Sequence, residues 1–326
     1  MRLTAASSPH IRGGDNVRVT MVDVVILLIP LVAMSVFYYG FRALLLVLIS
    51  CAAAVLSELV FRRLMRRPGG VTDFSAVITG AFVALSMPAT VPLWLPAVGS
   101  CFAILVVKQL FGGIGKNIFN PAAAATAFLT VTWPGVMSIF PQTFNRLPLF
   151  TTPHGFETGR SVQAALRAGI LPDNHLYELL IGDTPGNMGT GCVLILLIGG
   201  AYLLYRRIIN WQIPVAFVGT VALFAAIFPR SPSGRPDSVW FELTSGSLLF
   251  VALLMATDPV TSPVTSIGRL IFGFGCGFFT VLMRYFGVYP EGAYFAVLLM
   301  NPFVLALDRL SWHIRMKGGR LLYAKE

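Results

Sequence analysis

A glycine-rich break running into a short apolar helix is the feature that most limits what this chain can become. In the stretch Gln109–Phe128, Gly112, Gly113 and Gly115 follow an apolar run and lead into Asn120-Pro121. Asn supplies an acceptor for the free N–H groups that open a helix, and Pro at the first helical position lacks an N–H that would go unpaired there. The helix so opened, Pro121–Thr132, ends at Trp133-Pro134. At about 1.5 Å per residue it spans roughly 18 Å, against about 30 Å of bilayer hydrocarbon. A half-length helix with a broken backbone before it is tolerated at membrane depth only where protein or a polar cavity covers the freed groups. The stretch is therefore expected to frame an internal site.

The surroundings support a membrane setting. The chain is 56% hydrophobic and only 12% charged, against about 25% charged residues in ordinary soluble domains. Its net charge of +10 does not imply a nucleic-acid partner, because the basic residues lie in short clusters between apolar spans, as orientation signals do. Cys51, Cys101, Cys192 and Cys276 lie in or beside apolar spans without a CxxC pair, so they are expected to be packing residues and no metal site is assigned. No small-residue cleavage site follows the first apolar run, and no cleavable leader is expected.

Ten apolar segments are expected: Met21–Tyr39, with Pro30 as a kink; Phe41–Phe61; a short Asp73–Met87; a fuller Leu93–Phe111; the half-helix Pro121–Thr132; Gly191–Tyr205; Trp211–Phe228; a short Leu243–Thr257; Ile267–Tyr285; and Pro290–Leu307, interrupted at Asn301-Pro302. Arg230–Asp237 is expected to be a loop. The chain divides into an arm (1–20), a first membrane repeat (21–132), a polar segment (133–190) too long for a simple turn, a second repeat (191–308) and a tail (309–326). With the N-terminus cytoplasmic, 17 Lys and Arg fall on the cytoplasmic side and 7 on the other. That asymmetry predicts cytoplasmic termini, an external long loop, and Arg62, Arg63, Arg66 and Arg67 inside. Ser86-Met87-Pro88-Ala89-Thr90 is similar to Met255-Ala256-Thr257-Asp258-Pro259, and Asn120-Pro121 finds a counterpart in Asn301-Pro302. Both halves thus read long, long, short, long, broken. Five crossings per half would invert the second copy, and matched breaks in inverted repeats point to a central binding or conduction path.

Two glycine patterns are set aside. Gly112–Asn117 is not a phosphate loop, since Leu110 and Asn117 occupy the positions that need Gly and Ser or Thr. Gly273, Gly275 and Gly277 lie inside a span with no strand before them and suit close helix packing. Charged residues within or at the edges of spans are functional candidates: Asp23, Glu58, Lys108, Asp258, Glu291 and Asp308. The central polar site or ion path is expected to use Asn120, Pro121, Lys108, Asp258, Asn301 and Glu291.

Together the motifs Ser8–Arg12 (SPHIR), Asp73–Gly80 (DFSAVITG), Lys108–Ala122 (KQLFGGIGKNIFNPA), Met255–Thr265 (MATDPVTSPVT), Gly268–Gly273 (GRLIFG) and Tyr289–Pro302 (YPEGAYFAVLLMNP) carry a resemblance over almost the whole chain. It resembles the family of D subunits of Rnf ion-translocating ferredoxin:NAD oxidoreductases and, more distantly, the B subunits of sodium-translocating NADH:quinone reductases. The resemblance implies an all-α polytopic fold of about ten helices in two inverted five-helix repeats, like that of urea transporters. It also implies a flavin-carrying membrane subunit in a complex with A-, B-, C-, E- and G-type partners. Such a complex couples ferredoxin/NAD electron transfer to Na⁺ or H⁺ movement in the bacterial inner membrane. The isolated chain is not expected to carry the complete activity.

In the family, FMN is joined by a phosphoester to the threonine of an external S-G-A-T motif, a few residues before an A-A-L run. Aligned on Ala164-Ala165-Leu166, the chain has Thr158, Gly159, Arg160 and Ser161 there. Ser161 is the acceptor that the resemblance implies and Thr158 the alternative. Arg160 stands in place of the small Ala, where it could pair with the FMN phosphate or block the modifying enzyme by its bulk, and the family's upstream Asp is missing, with Glu157 the nearest acid. Riboflavin is the other flavin considered. Two other functions remain open from the residues alone: a small-solute channel or transporter with the same half-helices, and a cofactor-free structural anchor.

Overall fold

The computed structural model describes residues 17–66, 73–150, 156–172, 175–232, 234–289 and 291–323. The SPHIR arm, Arg67, Pro290 and the end of the tail lie outside the described residues, as do the side chains beyond Met316.

The first half contains α1 (Val17–Tyr39), α2 (Phe41–Leu64), α3 (Ser75–Leu85), α4 (Trp94–Phe102), which continues as a π-helical stretch over Ala103–Gln109, and α5 (Pro121–Thr132). The polar segment holds α6 (Pro134–Met137), the two-residue strands β1 (Phe140–Pro141) and β2 (Thr158–Gly159), α7 (Val162–Arg167) and α8 (Leu176–Ile181). The second half contains α9 (Val193–Tyr205), α10 (Gln212–Ile227), α11 (Arg235–Thr244) and α12 (Leu248–Phe250), which runs on as a π-helical stretch over Val251–Met255. It ends with α13 (Ser266–Phe286), α14 (Ala293–Met300) and α15 (Val304–Tyr323). Among the described residues, four helices are long and apolar enough to cross a membrane, Arg18–Tyr39, Phe41–Leu64, Ser266–Phe286 and Ala293–Met316. Shorter apolar helices accompany them, Pro121–Thr132 among them. Their outward faces carry large apolar side chains such as Leu48, Leu56, Leu197 and Leu305, the surface a polytopic membrane protein presents to lipid.

The half-helix α5 begins and ends where the sequence places it, and Gly112, Gly113 and Gly115 take φ of 118°, 94° and 81°. Such angles strain any residue with a Cβ. The glycines of α13 serve packing: a Cβ at Gly273 would lie 2.7 Å from the Ile213 carbonyl, and one at Gly277 2.8 Å from the Phe217 carbonyl, both on α10.

Four expectations change. The segment Leu93–Phe111 is shorter than a full span, ending its helix at Gln109 ahead of Gly112-Gly113. Its last seven residues are π-helical, a widened ladder that occurs mostly as single-turn bulges and often at functional sites. Arg235–Asp237, expected in a loop, opens α11 with Pro236 in its first turn. The short Leu243–Thr257 segment instead straddles the break of a bent pair, Pro236–Thr244 and Leu248–Met255, which meet at 57°. The bend falls at Gly246, whose φ is 69°. Finally, the interruption expected at Asn301-Pro302 is present but slight, unlike the helix start at its counterpart Asn120-Pro121. Asn301–Phe303 is a single 3₁₀ turn, and the helical path continues from Ala293 through Met316.

Candidate functional site

The two Asn-Pro pairs meet. Asn120 is the N-cap of α5, where its Oδ1 accepts from the Ala122 and Ala123 amides, both at 3.1 Å. Its Nδ2 donates to the Met255 carbonyl at 3.0 Å, at the end of the second half's short helix. The Asn301 amide, oriented as its neighbours require, accepts from the Asn120 N–H at 2.9 Å and donates to the carbonyls of Val297 and Thr261. Both asparagines are buried. One knot of hydrogen bonds therefore ties α5, the end of α12, the 258–265 loop and α14. Pro121 sits at the first helical position of α5.

Lys108 belongs to a neighbouring group. Its Nζ donates to Glu58 Oε2 at 2.9 Å and to Ser75 Oγ at 2.7 Å. The other Glu58 oxygen takes Arg62 at 2.7 Å and Gln109 at 2.9 Å. Glu58 is 0% exposed and Lys108 3%. Isolated charges so placed would be costly; paired and fully hydrogen-bonded, they hold α2, α3 and the π-helical end of α4 together. A cavity of about 140 Å³ joins this group to the knot, lined by Lys108, Ser75, Asn117, Asn120, Thr257 and Asp258 among others. Asp258 accepts from the Val260 amide and the Thr261 hydroxyl of its own turn. Glu291 stands apart, before the N-terminus of α14, while Asn301 follows its C-terminus; helical rise separates them by roughly 15 Å.

The other charged candidates have local partners. Asp23 takes Arg206 at 3.0 Å and Tyr202 at 2.7 Å. Asp308 accepts the Val264 and Thr265 amides and the Thr265 hydroxyl, securing the entry to α13.

The 158–161 stretch lies in the polar segment. Thr158-Gly159 pairs antiparallel with Phe140-Pro141, and the exposed Arg160 borders a cavity of about 440 Å³ with Gln142, Thr143 and Asp183. Ser161 is buried, and its Oγ caps α7 by accepting from the Ala164 N–H at 3.3 Å. Thr158 is exposed.

A network that the sequence does not reveal anchors this loop. Gln163 on α7 donates to Ser245 Oγ at 2.8 Å and to Glu242 Oε2 at 3.2 Å, and accepts from Arg230 at 3.1 Å. Glu242 also pairs with Arg284 at 2.7 Å, and both are buried. The one signal in the sequence is a Glu and an Arg inside otherwise apolar stretches. By charge distribution alone, Arg284 reads only as an orientation charge. Arg42 reads likewise, yet it is buried and donates to the carbonyls of Ala89, Val91, Pro148 and Leu149.

Residues 4–317 match the NQR2, RnfD, RnfE family. The chain belongs to that family. It is 38% identical over 314 residues, 95% of this chain and 94% of the relative, to the D subunit of the Na⁺-translocating ferredoxin:NAD⁺ oxidoreductase complex of Acetobacterium woodii. It is 34% identical, with 97% of each chain covered, to the D subunit of the proton-translocating ferredoxin:NAD⁺ oxidoreductase complex of Clostridium ljungdahlii. It is 36% identical, with 89% of each covered, to the D subunit of the ion-translocating oxidoreductase complex of Stutzerimonas stutzeri. The similarity to these RnfD members thus runs through both halves of this chain and the loop between them.

Proposed function

We propose that this chain is the membrane D subunit of an ion-translocating ferredoxin:NAD oxidoreductase complex, seated in the bacterial inner membrane with A-, B-, C-, E- and G-type partners. The observation that carries this reading is the near-complete coverage, in both directions, by relatives bearing that description. In this reading the chain forms two inverted halves of five helices each, with both termini cytoplasmic and the 133–190 segment external. The Asn120–Asn301 knot and the neighbouring cavity line the ion path between the halves. Supporting it are the half-helix start at Asn120-Pro121, whose end groups supply polar contacts at the break, the meeting of Asn120 with Asn301, and the 17-to-7 distribution of basic residues. Ferredoxin and NAD react at partner subunits, and the isolated chain has no complete activity.

The loop carries FMN through a phosphoester. When bound, the flavin supplies the electron-carrying chemistry, while the protein positions and tunes it. The residues fit such a group on two counts: an exposed Arg160 beside a polar cavity of about 440 Å³, and two nearby hydroxyls. The guanidinium suits a phosphate geometrically and electrostatically. The hydroxyls differ. Attachment at Ser161 means giving up its cap on α7, a cost of about 1 kcal/mol, whereas Thr158 is already exposed. Ser161 remains the aligned acceptor and Thr158 the accessible one. Intact mass of the chain, purified from a host with a competent flavin transferase, tests the reading. An FMN adduct lost on Ser161→Ala places the bond there, and loss on Thr158→Ala moves it. An unmodified wild-type mass removes the covalent flavin and leaves riboflavin or a flavin-free chain.

A further inference from the structure

The charges around the buried Glu58 do not balance. Arg62 lies 2.7 Å from Glu58 and 4.0 Å from Asp73, and Lys108 Nζ lies 2.9 Å from Glu58. Two carboxylates and two cations leave that group neutral. The adjoining cavity of about 140 Å³ has, among the described residues, two charged side chains in its wall, Lys108 and Asp258. Asp258 accepts from the Val260 amide at 3.3 Å and the Thr261 hydroxyl at 3.1 Å, and among the described residues it has no cationic partner. Three carboxylates thus face two cations, and the set is one monovalent cation short of neutral. Charged side chains inside a membrane protein pair with one another or mark an ion path.

Lys108 shows where a cation fits. Its ammonium sits between Glu58 Oε2 at 2.9 Å and Ser75 Oγ at 2.7 Å. Both oxygens turn lone pairs to it. The Ser75 hydroxyl hydrogen is committed to Asp73 Oδ1 at 2.9 Å, and the other Glu58 oxygen to Arg62 and Gln109. The seat is therefore acceptor-only, and Ser75 and Lys108 both border the cavity, so water can complete a hard cation's shell there. Lys108 also has room to leave. Its ammonium is a compact charge on a flexible four-carbon stem, it faces the cavity, and it stands on the π-helical stretch Ala103–Gln109. Gly113, at positive φ, closes that stretch by donating its N–H to the Lys108 carbonyl at 3.0 Å.

We propose that Glu58 Oε2 and Ser75 Oγ form a binding site for a monovalent metal cation, and that Lys108 is its tethered competitor. The ion takes the seat of the ammonium, which turns into the cavity towards Asp258. The proposal rests on the ion-translocating reading of the subunit. The exchange keeps the Glu58 group neutral, one cation replacing another. The displaced ammonium offsets the charge of Asp258, so a single bound ion removes the imbalance. The site gives the path an entrance on the side of Arg62 and Arg63, which the charge distribution predicts to be cytoplasmic.

The test uses the intact purified complex and Na⁺ as the probe. Equilibrium dialysis of radioactive Na⁺, with choline chloride holding the ionic strength, gives the half-saturating concentration, and thermal unfolding with and without Na⁺ gives a second readout. Lys108→Met removes the competitor and leaves the seat open. It should lower the half-saturating Na⁺ concentration about tenfold, because a larger fraction of the protein is competent to bind. Na⁺ should also restore more of this variant's thermal stability than choline does. General damage to the site would raise the concentration instead. Asp258→Asn takes away the charge that receives the ammonium, and should raise it about tenfold by the same reasoning. Weaker or unchanged Na⁺ binding in Lys108→Met overturns the proposal. So does unchanged binding in Asp258→Asn, which decides the matter if Lys108→Met does not fold. Variants that alter proton uptake and leave Na⁺ binding untouched overturn it too, since Glu58 then takes a proton and no metal. A complex that shows both Na⁺ shifts but carries no electrons from ferredoxin to NAD would instead refute the functional reading and leave the site standing.

Discussion

The two Asn-Pro breaks share a dipeptide and differ in almost everything else. At Asn120-Pro121 the chain arrives through a loop with three glycines at positive φ, so the asparagine is free to take extended angles (φ −65°, ψ 120°) and cap a new helix. At Asn301-Pro302 the chain arrives from α14 already helical. Asn301 keeps helical angles (φ −54°, ψ −44°), and only a 3₁₀ turn marks the break. There Pro302 loses one ladder bond, and the freed Asn301 side chain is turned to its own helix, to Thr261 and to the Asn120 amide. The lesson is that a break motif is read through what precedes it: glycines permit a half-helix, whereas a well-formed apolar helix absorbs the same proline as a local tightening. The first break also has buried charges behind it, Glu58 and Lys108, while the knot's second-half partners are neutral amides and carbonyls.

The contrast orders the expected effects. The largest belongs to the charged side. Lys108→Met leaves Glu58 buried with a lost partner and should destabilise the detergent-purified chain by about 3–5 kcal/mol. The double variant Lys108→Met/Glu58→Gln should recover part of this in thermal unfolding. No recovery would mean that Lys108 is held for packing rather than for charge. Next comes Asn120→Ala, which removes a cap and abandons the Met255 carbonyl. About 2–4 kcal/mol is expected from these losses together. Asn301→Ala should cost less, about 1–2 kcal/mol. Equal losses at the two positions would erase the distinction between a helix start and a helix interruption.

Gly113→Ala, at φ 94°, should cost about 1–3 kcal/mol from backbone strain, measured in the same unfolding assay. Pro302→Ala restores a donor to a helix that already runs through, and should change stability by less than about 1 kcal/mol, in the stabilising direction. A large loss there would show that the 3₁₀ turn, and not the glycine loop, is the indispensable break.

Much of this protein could be read without coordinates because its local signals are strong. Asn-Pro after glycines fixed the start of α5 and Trp133-Pro134 its end, both to the residue, since capping and the missing proline donor act within a few residues. Long apolar runs marked the four long helices, because unpaired backbone cannot face lipid. The small residues of α13 predicted a close neighbour, although not that it would be α10.

Tertiary structure decided what depends on distant partners. Whether Glu58 caps, snorkels or pairs turned on Lys108, fifty residues away and on another helix. Arg284 and Arg42 looked like orientation charges until Glu242 and the carbonyls of distant loops were placed around them. Ser161 read as a free hydroxyl, and the fold buried it as a cap. The network of Gln163, Arg230, Glu242 and Arg284 could not be seen in the chain at all, because a hydrogen bond between distant side chains is a property of what surrounds a residue and not of the residue. The sequence by itself determined a polytopic membrane chain of the NQR2, RnfD, RnfE type with a half-helix at its first break. The fold alone decided which polar groups meet, since burial, pairing and shared cavities arise only when segments far apart in sequence are packed together.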